Sequence, residues 1–344
     1  MVVEAFDLLR QEILRVVRQG QDPLDRIIGQ KETKEQVLAA LLSKHHIMIE
    51  GPPGVGKTTL AKQVAALLPP VKAVKDCRFH CDPEDPRCPN CRLRGESGED
   101  LPIETIPGSQ RFVRVQGSPE LRAEDLLGDI DPVEAFRHGP LHPRAFTPGK
   151  LLRGNRGIIF FDELNRCPER VQNALLQVLE EGVATIGGYD VDFPADFVLI
   201  ATSNPTETIG TERLSDTLLD RLDIVKMGYP TRDEERSIIL KYGRRSSGVA
   251  VPEDTVSLIV DLARSTRDRS DVQKSASVRA SIKLFENSQS VACLLGKPRV
   301  DADDVNRAII MSFKGRVTPS PDSPFFNDVE GLLKNIIDSA MKER

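Results

Sequence analysis

Ile47-Met48-Ile49-Glu50-Gly51-Pro52-Pro53-Gly54-Val55-Gly56-Lys57-Thr58-Thr59 decides the fold. Ile47 to Glu50 form a short, mainly apolar run stopped by glycine, which suits a buried strand. Residues from about Thr58 to Leu68 read as a helix that stops at Pro69-Pro70. Between them, Gly51 to Thr58 matches G-x-x-x-x-G-K-[ST] in the strand-to-helix setting the motif requires. Its glycines let backbone N–H groups wrap phosphates, and the helix N-terminus adds a positive dipole end. Lys57 can reach the β- and γ-phosphates, and the Thr58 hydroxyl can ligate Mg²⁺. Gly51, Pro52, Pro53, Gly54, Val55, Gly56 and Thr59 complete the set of expected nucleotide contacts.

Downstream, Ile158-Ile159-Phe160-Phe161-Asp162-Glu163 is a second apolar run, ending in two acids. At such a strand end Asp162 can hold Mg²⁺ through water, and Glu163 can polarise an attacking water. Ala201-Thr202-Ser203-Asn204 ends a third buried run that starts at Phe197. Asn204 there reads either as a turn residue or as a polar group that orients the γ-phosphate and the attacking water. Phe112 to Val115 supplies one more strand. Strands alternating with helices predict a parallel sheet in an α/β domain.

The rest of the chain divides by texture. Residues 1–24 hold an amphipathic helix, with Phe6, Leu9, Ile13, Val16 and Val17 on one face. Residues 25–230 form the α/β domain. Within it, residues 71–110 contain four Cys, five Pro and many charges, which marks an insertion, not a core element. Residues 131–150 read as another excursion. Val183 to Ile186 and Tyr189 to Phe193 flank Gly187-Gly188, a hairpin signal. Residues 231–313 read as helices only, a separate α-helical lid domain. Residues 314–344 are a Pro-rich linker followed by a last helix from about Asn327 to Met341.

Charge and composition narrow the function. The 344 residues carry 47 Lys+Arg against 52 Asp+Glu, a net charge of −5, which excludes a strongly basic whole-protein footprint for nucleic acid. Aromatics are 5% and Trp is absent, so a stacking platform for single strands is disfavoured. No apolar run reaches the 18 or so residues of a membrane helix. Glu4, Asp7 and Glu12 argue against a signal peptide, so the expected location is cytoplasmic.

Four of the six cysteines fall in one short stretch, as Cys77-x-x-x-Cys81 and Cys88-Pro-Asn-Cys91. A four-thiolate structural Zn²⁺ would give the polar insertion something to fold around, with His80 able to replace one Cys. A redox dithiol, an iron–sulfur cluster and unliganded thiols fit the same spacing. Cys167 and Cys293 read as core residues. His45, His46, His138 and His142 show no metal spacing with one another and read as surface or packing residues.

The order GPPGVGKT, FFDELNR, ATSNP, LLDR resembles the AAA+ ATPases, over about residues 25–313. Within them the chain is similar to the clade that holds the MoxR ATPases and subunit I of magnesium chelatase. Asp162 to Pro168, Val171 to Leu175, Glu181 to Gly188, Ala201 to Pro205 and Gly210-Thr211 are MoxR-like. Phe146 to Gly157 and the Cys-rich stretch before Asp82-Pro83 look more like the chelatase subunit. The resemblance implies a P-loop NTPase αβα sandwich with a C-terminal α-helical lid, using ATP and Mg²⁺. It implies that Ile28-Gly29-Gln30 lies against adenine and that Asn204 is the sensor 1 residue. It implies that Arg221 is an arginine finger for a neighbouring subunit and that Arg279 is sensor 2. A guanidinium suits both tasks because it stays charged. Leu222 stands where Phe is usual after the finger, and Ser277-Val278 replaces the usual small-residue–Pro pair before sensor 2.

A finger acting between subunits implies a homo-oligomeric ring, most simply a hexamer. The Gly187-Gly188 hairpin and residues 131–150 match the positions of insertions that project from such rings. The functional expectation is an ATP-driven motor that remodels a partner protein carrying a von Willebrand factor A domain. The alternative is the motor subunit of a magnesium chelatase, acting with a porphyrin-binding partner subunit. A DNA-dependent motor ranks below both because of the acidic charge balance.

Overall fold

The computed structural model describes residues 4–185, 192–204, 211–246 and 248–342. The Gly187-Gly188 turn, Pro205 and Gly210 lie outside them. The described chain divides into two compact units. One holds residues 1–27, 31–51 and 56–227; the other holds 28–30, 52–55 and 228–344.

The first unit is built on five strands. They are β1 (His46–Glu50), β2 (Phe112–Gln116), β3 (Gly157–Asp162), β4 (Phe197–Ser203) and β5 (Leu222–Lys226). Their order across the sheet is β5-β1-β4-β3-β2, and every pairing is parallel. β4 is buried along its whole length and β3 along all but its last residue. Such burial on both faces is why their sequences run apolar without alternation. The register brings Glu50 level with Ser203 and Lys226, and Gln116 level with Asp162. All strands therefore finish along one edge, where open α/β sheets place their ligands.

Helices α1 (Ala5–Arg18), α2 (Lys31–Leu42), α3 (Lys57–Leu67) and α4 (Glu169–Glu181) belong to this unit. α1 buries Ala5, Phe6, Leu9, Ile13 and Val16 at helical spacing, while Val17, expected on that face, is half exposed. α3 starts directly after the glycine loop and stops at Leu68, before the two prolines.

The Cys-rich stretch departs from its expected status as an insertion outside the core. Val71–Val74 pairs antiparallel with Ile103–Ile106. Between them Phe79, Cys81, Cys88 and Cys91 are buried in the same cluster as Phe161 and Leu199 of the sheet. Segment 131–150 also carries structure. It contains a helix at Pro132–His138, and Phe146–Pro148 pairs with Gly128–Ile130. Val183–Thr185 pairs antiparallel with Asp192–Pro194.

The second unit holds α5 (Arg232–Tyr242), α6 (Glu253–Ser265), α7 (Val278–Leu294), α8 (Ala302–Phe313) and α9 (Val329–Lys342). Two expectations differ here. The region is not purely helical, since Val272–Lys274 pairs with Thr318–Pro319. The last helix packs on this unit: Leu332, Leu333, Ile336 and Ile337 share one core with Ile259, Leu284 and Ile309. Its apolar stripe needs cover, and this core provides it. Cys293, read as a core residue, is exposed, whereas Cys167 is buried.

Candidate nucleotide site

The glycine loop leaves the sheet at the end of β1. Gly51 N–H donates to Ser203 O at 3.3 Å, which ties the loop to the end of β4. A Cβ at Gly51 would stand 2.1 Å from Met227 O, so only glycine fits. Gly56 caps α3 with a φ of +116°, a conformation that favours glycine. Lys57 opens α3, and its Nζ donates to Gly51 O at 2.5 Å. Burial pushes the Lys57 ammonium below its usual value, against the pull of Asp162 and Glu163. A cation kept half-dry beside backbone N–H groups is a fit for polyphosphate. Thr58 is half-buried and Thr59 exposed.

The acidic pair stands at the end of β3. Thr202 Oγ1 donates to Asp162 Oδ1 at 2.8 Å and accepts from Glu163 N at 2.9 Å. Arg114, on neighbouring β2, donates to Asp162 Oδ2 at 2.6 Å. Glu163 adopts a left-handed backbone with φ 56°, which turns it out of the strand direction. Gln116 Nε2 and Arg166 Nη1 both donate to Glu163 Oε2, at 3.0 and 3.2 Å. Gly117 is obligatory beside it, since a Cβ there would meet Glu163 O at 2.0 Å. Asn204, half-buried, follows the last residue of β4 on the same edge. The donor set thus suits a magnesium-bound nucleotide. Lys57 offers a half-buried cation to anionic oxygen. Thr58 and Asp162 offer oxygen to a hard cation. Glu163 offers a base.

Arg221 lies elsewhere. It precedes β5, whose first residue Leu222 is level with His46, the first residue of β1. It is therefore at the opposite edge of the sheet from Gly51. Arg221 Nη2 donates to Glu180 Oε1 of α4 at 2.7 Å, and both side chains are about half exposed.

In the second unit, Gly54 has a φ of +79°, and a Cβ on it would meet Ser277 Cβ and Oγ at 2.9 Å and Arg279 Cβ at 3.5 Å. Arg279, in the first turn of α7, thus lies against the loop tip. Among the described residues its guanidinium has no ion pair. Pro52, Pro53 and Val55 belong to the same tip. Ile28 is half-buried. Gly29 fits under the Glu234 carboxylate, which would lie 2.0 Å from a Cβ. Gln30 Nε2 donates to Gly228 O at 2.8 Å. Ser277 caps α7 by accepting from Ala280 N, so the serine that replaces a small residue here gains a role.

Thr202, Arg114, Gln116 and Arg166 were not foreseen from the sequence. Thr202 had a signal, a hydroxyl near the end of an otherwise apolar strand. Arg114 and Gln116 had none, because their partners are set by cross-strand register.

The family model "ATPase family associated with various cellular activities (AAA)" matches residues 106–224, and "Magnesium chelatase, subunit ChlI" matches residues 23–78. The chain is an AAA+ ATPase of the MoxR and magnesium chelatase subunit I clade. Its relatives include the magnesium-chelatase 38 kDa subunit of Acidiphilium rubrum, 33% identical over 64% of this chain and 62% of that one. The chaperone MoxR1 of Mycobacterium tuberculosis is 28% identical over 82% of this chain and 70% of its own. An uncharacterized protein of Bacillus subtilis, YeaC, is 26% identical over 92% and 91%. Among solved structures, a mutant RuvB of Thermotoga maritima covers 84% of this AAA+ ATPase with a TM-score of 0.50 at 18% identity, a likeness of fold. No described helix is long and apolar enough to cross a membrane.

Proposed function

We propose that this AAA+ ATPase is a ring-forming motor whose hydrolysis sites are completed by Arg221 of a neighbouring copy, and that it remodels a partner protein. The placement of Arg221 carries this reading. The finger and the glycine loop sit at opposite ends of five-residue strands, which at about 3.3 Å per residue puts them more than about 13 Å apart. An arginine side chain on its own loop does not span that gap along the sheet edge. A second copy docked head-to-tail brings the finger to the first copy's phosphates, and repeated docking closes a ring.

In this reading Lys57, Thr58 and Asp162 hold magnesium-bound ATP, and Ile28 to Gln30 lie against the base. Glu163 takes the proton of the attacking water, and Asn204 orients that water. Arg279 and the neighbour's Arg221 neutralise charge on the phosphoryl oxygens. Mg²⁺, held by Thr58 and Asp162, would supply positive charge to offset the negative charge of the phosphate oxygens.

Pairwise mixing tests the ring. Lys57→Ala and Arg221→Ala should each be inactive. Mixed in equal amounts, they should recover about a quarter of wild-type phosphate release, because one interface in four joins an intact site to an intact finger. No recovery would refute the shared site.

The expected partner is a protein with a von Willebrand factor A domain. The match over residues 106–224 and the likeness to MoxR1 favour it. The second reading, a chelatase motor, is favoured by the match over residues 23–78 and by the 33% identity to a chelatase subunit. Glu163→Gln, locked with ATP and recovered from its own cells, separates them. A porphyrin-binding chelatase subunit selects the second reading, and a von Willebrand factor A protein without it selects the first. Nucleic acid as the only ATP-dependent companion overturns both.

A further inference from the structure

Cys77, Cys81, Cys88 and Cys91 bring four sulfurs within 4.8 Å of one another. Cys77 Sγ and Cys88 Sγ are 3.8 Å apart. That is close to the edge of a tetrahedron whose centre lies about 2.3 Å from each sulfur, the spacing of a zinc–thiolate site. We propose that these four cysteines bind one tetrahedral Zn²⁺ per chain.

The local backbone is shaped for it. Asp76 and His80 both have left-handed backbones, φ 62° and 49°. Cys77 N–H donates to Val74 O, and His80 N–H donates to Cys77 O, both at 3.1 Å. These bends fold Cys77 back towards Cys81. The second pair opens the helix Pro89–Glu96. Cys88 caps it, Pro89 takes the first helical position, and Cys91 lies on its first turn. Cys91 N–H points at Cys88 Sγ at 3.4 Å, and Cys88 N–H at Cys81 Sγ at 3.3 Å. Amide donors aimed at sulfur favour the thiolate, the form that ligates metal.

Packing alone does not account for this convergence. Cysteine can serve as a small apolar residue, but such residues do not gather their sulfurs at one point and turn amides towards them. Cys81, Cys88 and Cys91 are at most 3% exposed, and Cys77 is the partly open member through which an ion would enter. His80, the other candidate ligand, faces Asn155 O at 3.4 Å and is not one of the converging groups.

The position assigns the ion a structural task. Asn155 Nδ2 donates to Phe79 O at 2.6 Å, and Asp196 N–H donates to Asn155 Oδ1 at 2.9 Å. Arg156 donates to Lys72 O and His80 O and pairs with Asp82 at 3.2 Å. Asn155-Arg156 leads directly into β3, and Asp196 directly into β4. The four-thiolate knot therefore clamps the starts of the two strands whose far ends carry Asp162, Glu163 and Asn204. It is too far from that edge to take part in hydrolysis.

The test needs no assumption about ATP or a partner. The purified full-length chain should carry about one zinc per chain by plasma mass spectrometry. A mercurial thiol reagent should release it in step with loss of the four thiols, followed by a colorimetric chelator. Co²⁺ loaded in its place under reducing conditions should give the intense visible bands of a tetrahedral thiolate site. Cys88→Ser with Cys91→Ser should abolish binding; if that variant does not fold, the release and cobalt measurements on the unaltered chain still decide. Iron with acid-labile sulfide, disulfides that resist metal loading, or a reduced chain that takes up neither zinc nor cobalt would overturn the assignment.

Discussion

Thr202 serves both members of the acidic pair through one hydroxyl. It donates to the Asp162 carboxylate and accepts from the Glu163 amide. Thr202→Val keeps the shape and removes both bonds, leaving a buried amide without its acceptor, a penalty of about 1–3 kcal/mol. If half of that appears in the transition state, phosphate release slows by about two- to tenfold while nucleotide affinity changes less. Glu163→Gln should slow phosphate release by about 10²-fold or more with ATP binding retained. Steady-state phosphate release beside a fluorescent-nucleotide titration checks both. A Glu163→Gln chain that hydrolyses at the wild-type rate would remove Glu163 from the mechanism. The positions of Lys57 at the start of α3, and of Asp162 and Glu163 at the end of β3, were legible because each has a fixed place in a local motif. Thr202 and Arg114 were not, because a hydrogen bond between strands depends on register that no local pattern encodes.

At the scale of elements, α1 is held to the sheet around His46. The His46 ring lies 5.2 Å from Phe6 of α1 and 6.2 Å from Phe197 of β4, and its Nδ1 accepts from Leu199 N–H at 3.0 Å. Burial, assisted by His45, pushes the His46 pKa down to about 4, from 6.5 for an unperturbed histidine. Between those values the unfolded chain takes up a proton that the folded chain refuses. Stability contributed by neutral His46 is therefore intact above pH 6.5 and falls as the pH drops towards 4, by up to about 3 kcal/mol. Urea unfolding across that range should show this slope, and His46→Asn, which keeps an acceptor for Leu199, should flatten it. An unchanged slope in the variant would assign the effect to other groups.

In the helical unit, Glu235 of α5 and Arg267 form a two-pronged pair at 2.7 and 2.8 Å. Ser281 of α7 also donates to Glu235, at 2.6 Å, and Arg267 stacks 4.1 Å over the Tyr229 ring. Both charges are buried. Glu235→Ala should cost about 3–5 kcal/mol in urea unfolding, far more than loss of an exposed pair such as Arg307–Asp303. The elements themselves were unevenly legible. β1, β3 and β4 announce themselves as apolar runs because both faces are covered. Ile103–Ile106 hides, since three of its four residues are exposed and its partner strand lies beyond the whole cysteine stretch. α9 was visible as an amphipathic helix, but its apolar face did not name the core that covers it.

For the whole molecule, the acidic balance makes nucleic acid a poor stimulant. Duplex or single-stranded DNA at physiological salt should leave the rate of phosphate release unchanged; a several-fold, salt-sensitive increase would reveal a concentrated basic surface that the net charge conceals. The proposed ring would face a quieter competition. In a lone copy the Arg221 guanidinium is already held by Glu180. To serve a neighbour it must exchange a carboxylate of its own chain for another chain's phosphate. An exposed pair of this kind is worth only about 0–1 kcal/mol, so the hold is weak enough to break when ATP arrives and strong enough to discourage an idle union. In the proposed ring Glu180 would act as a placeholder, making subunit association answer to the nucleotide. Glu180→Gln should lower, by up to about fivefold, the protein concentration at which hydrolysis becomes half-maximal. It should do so most visibly at low salt, where the placeholder grips hardest.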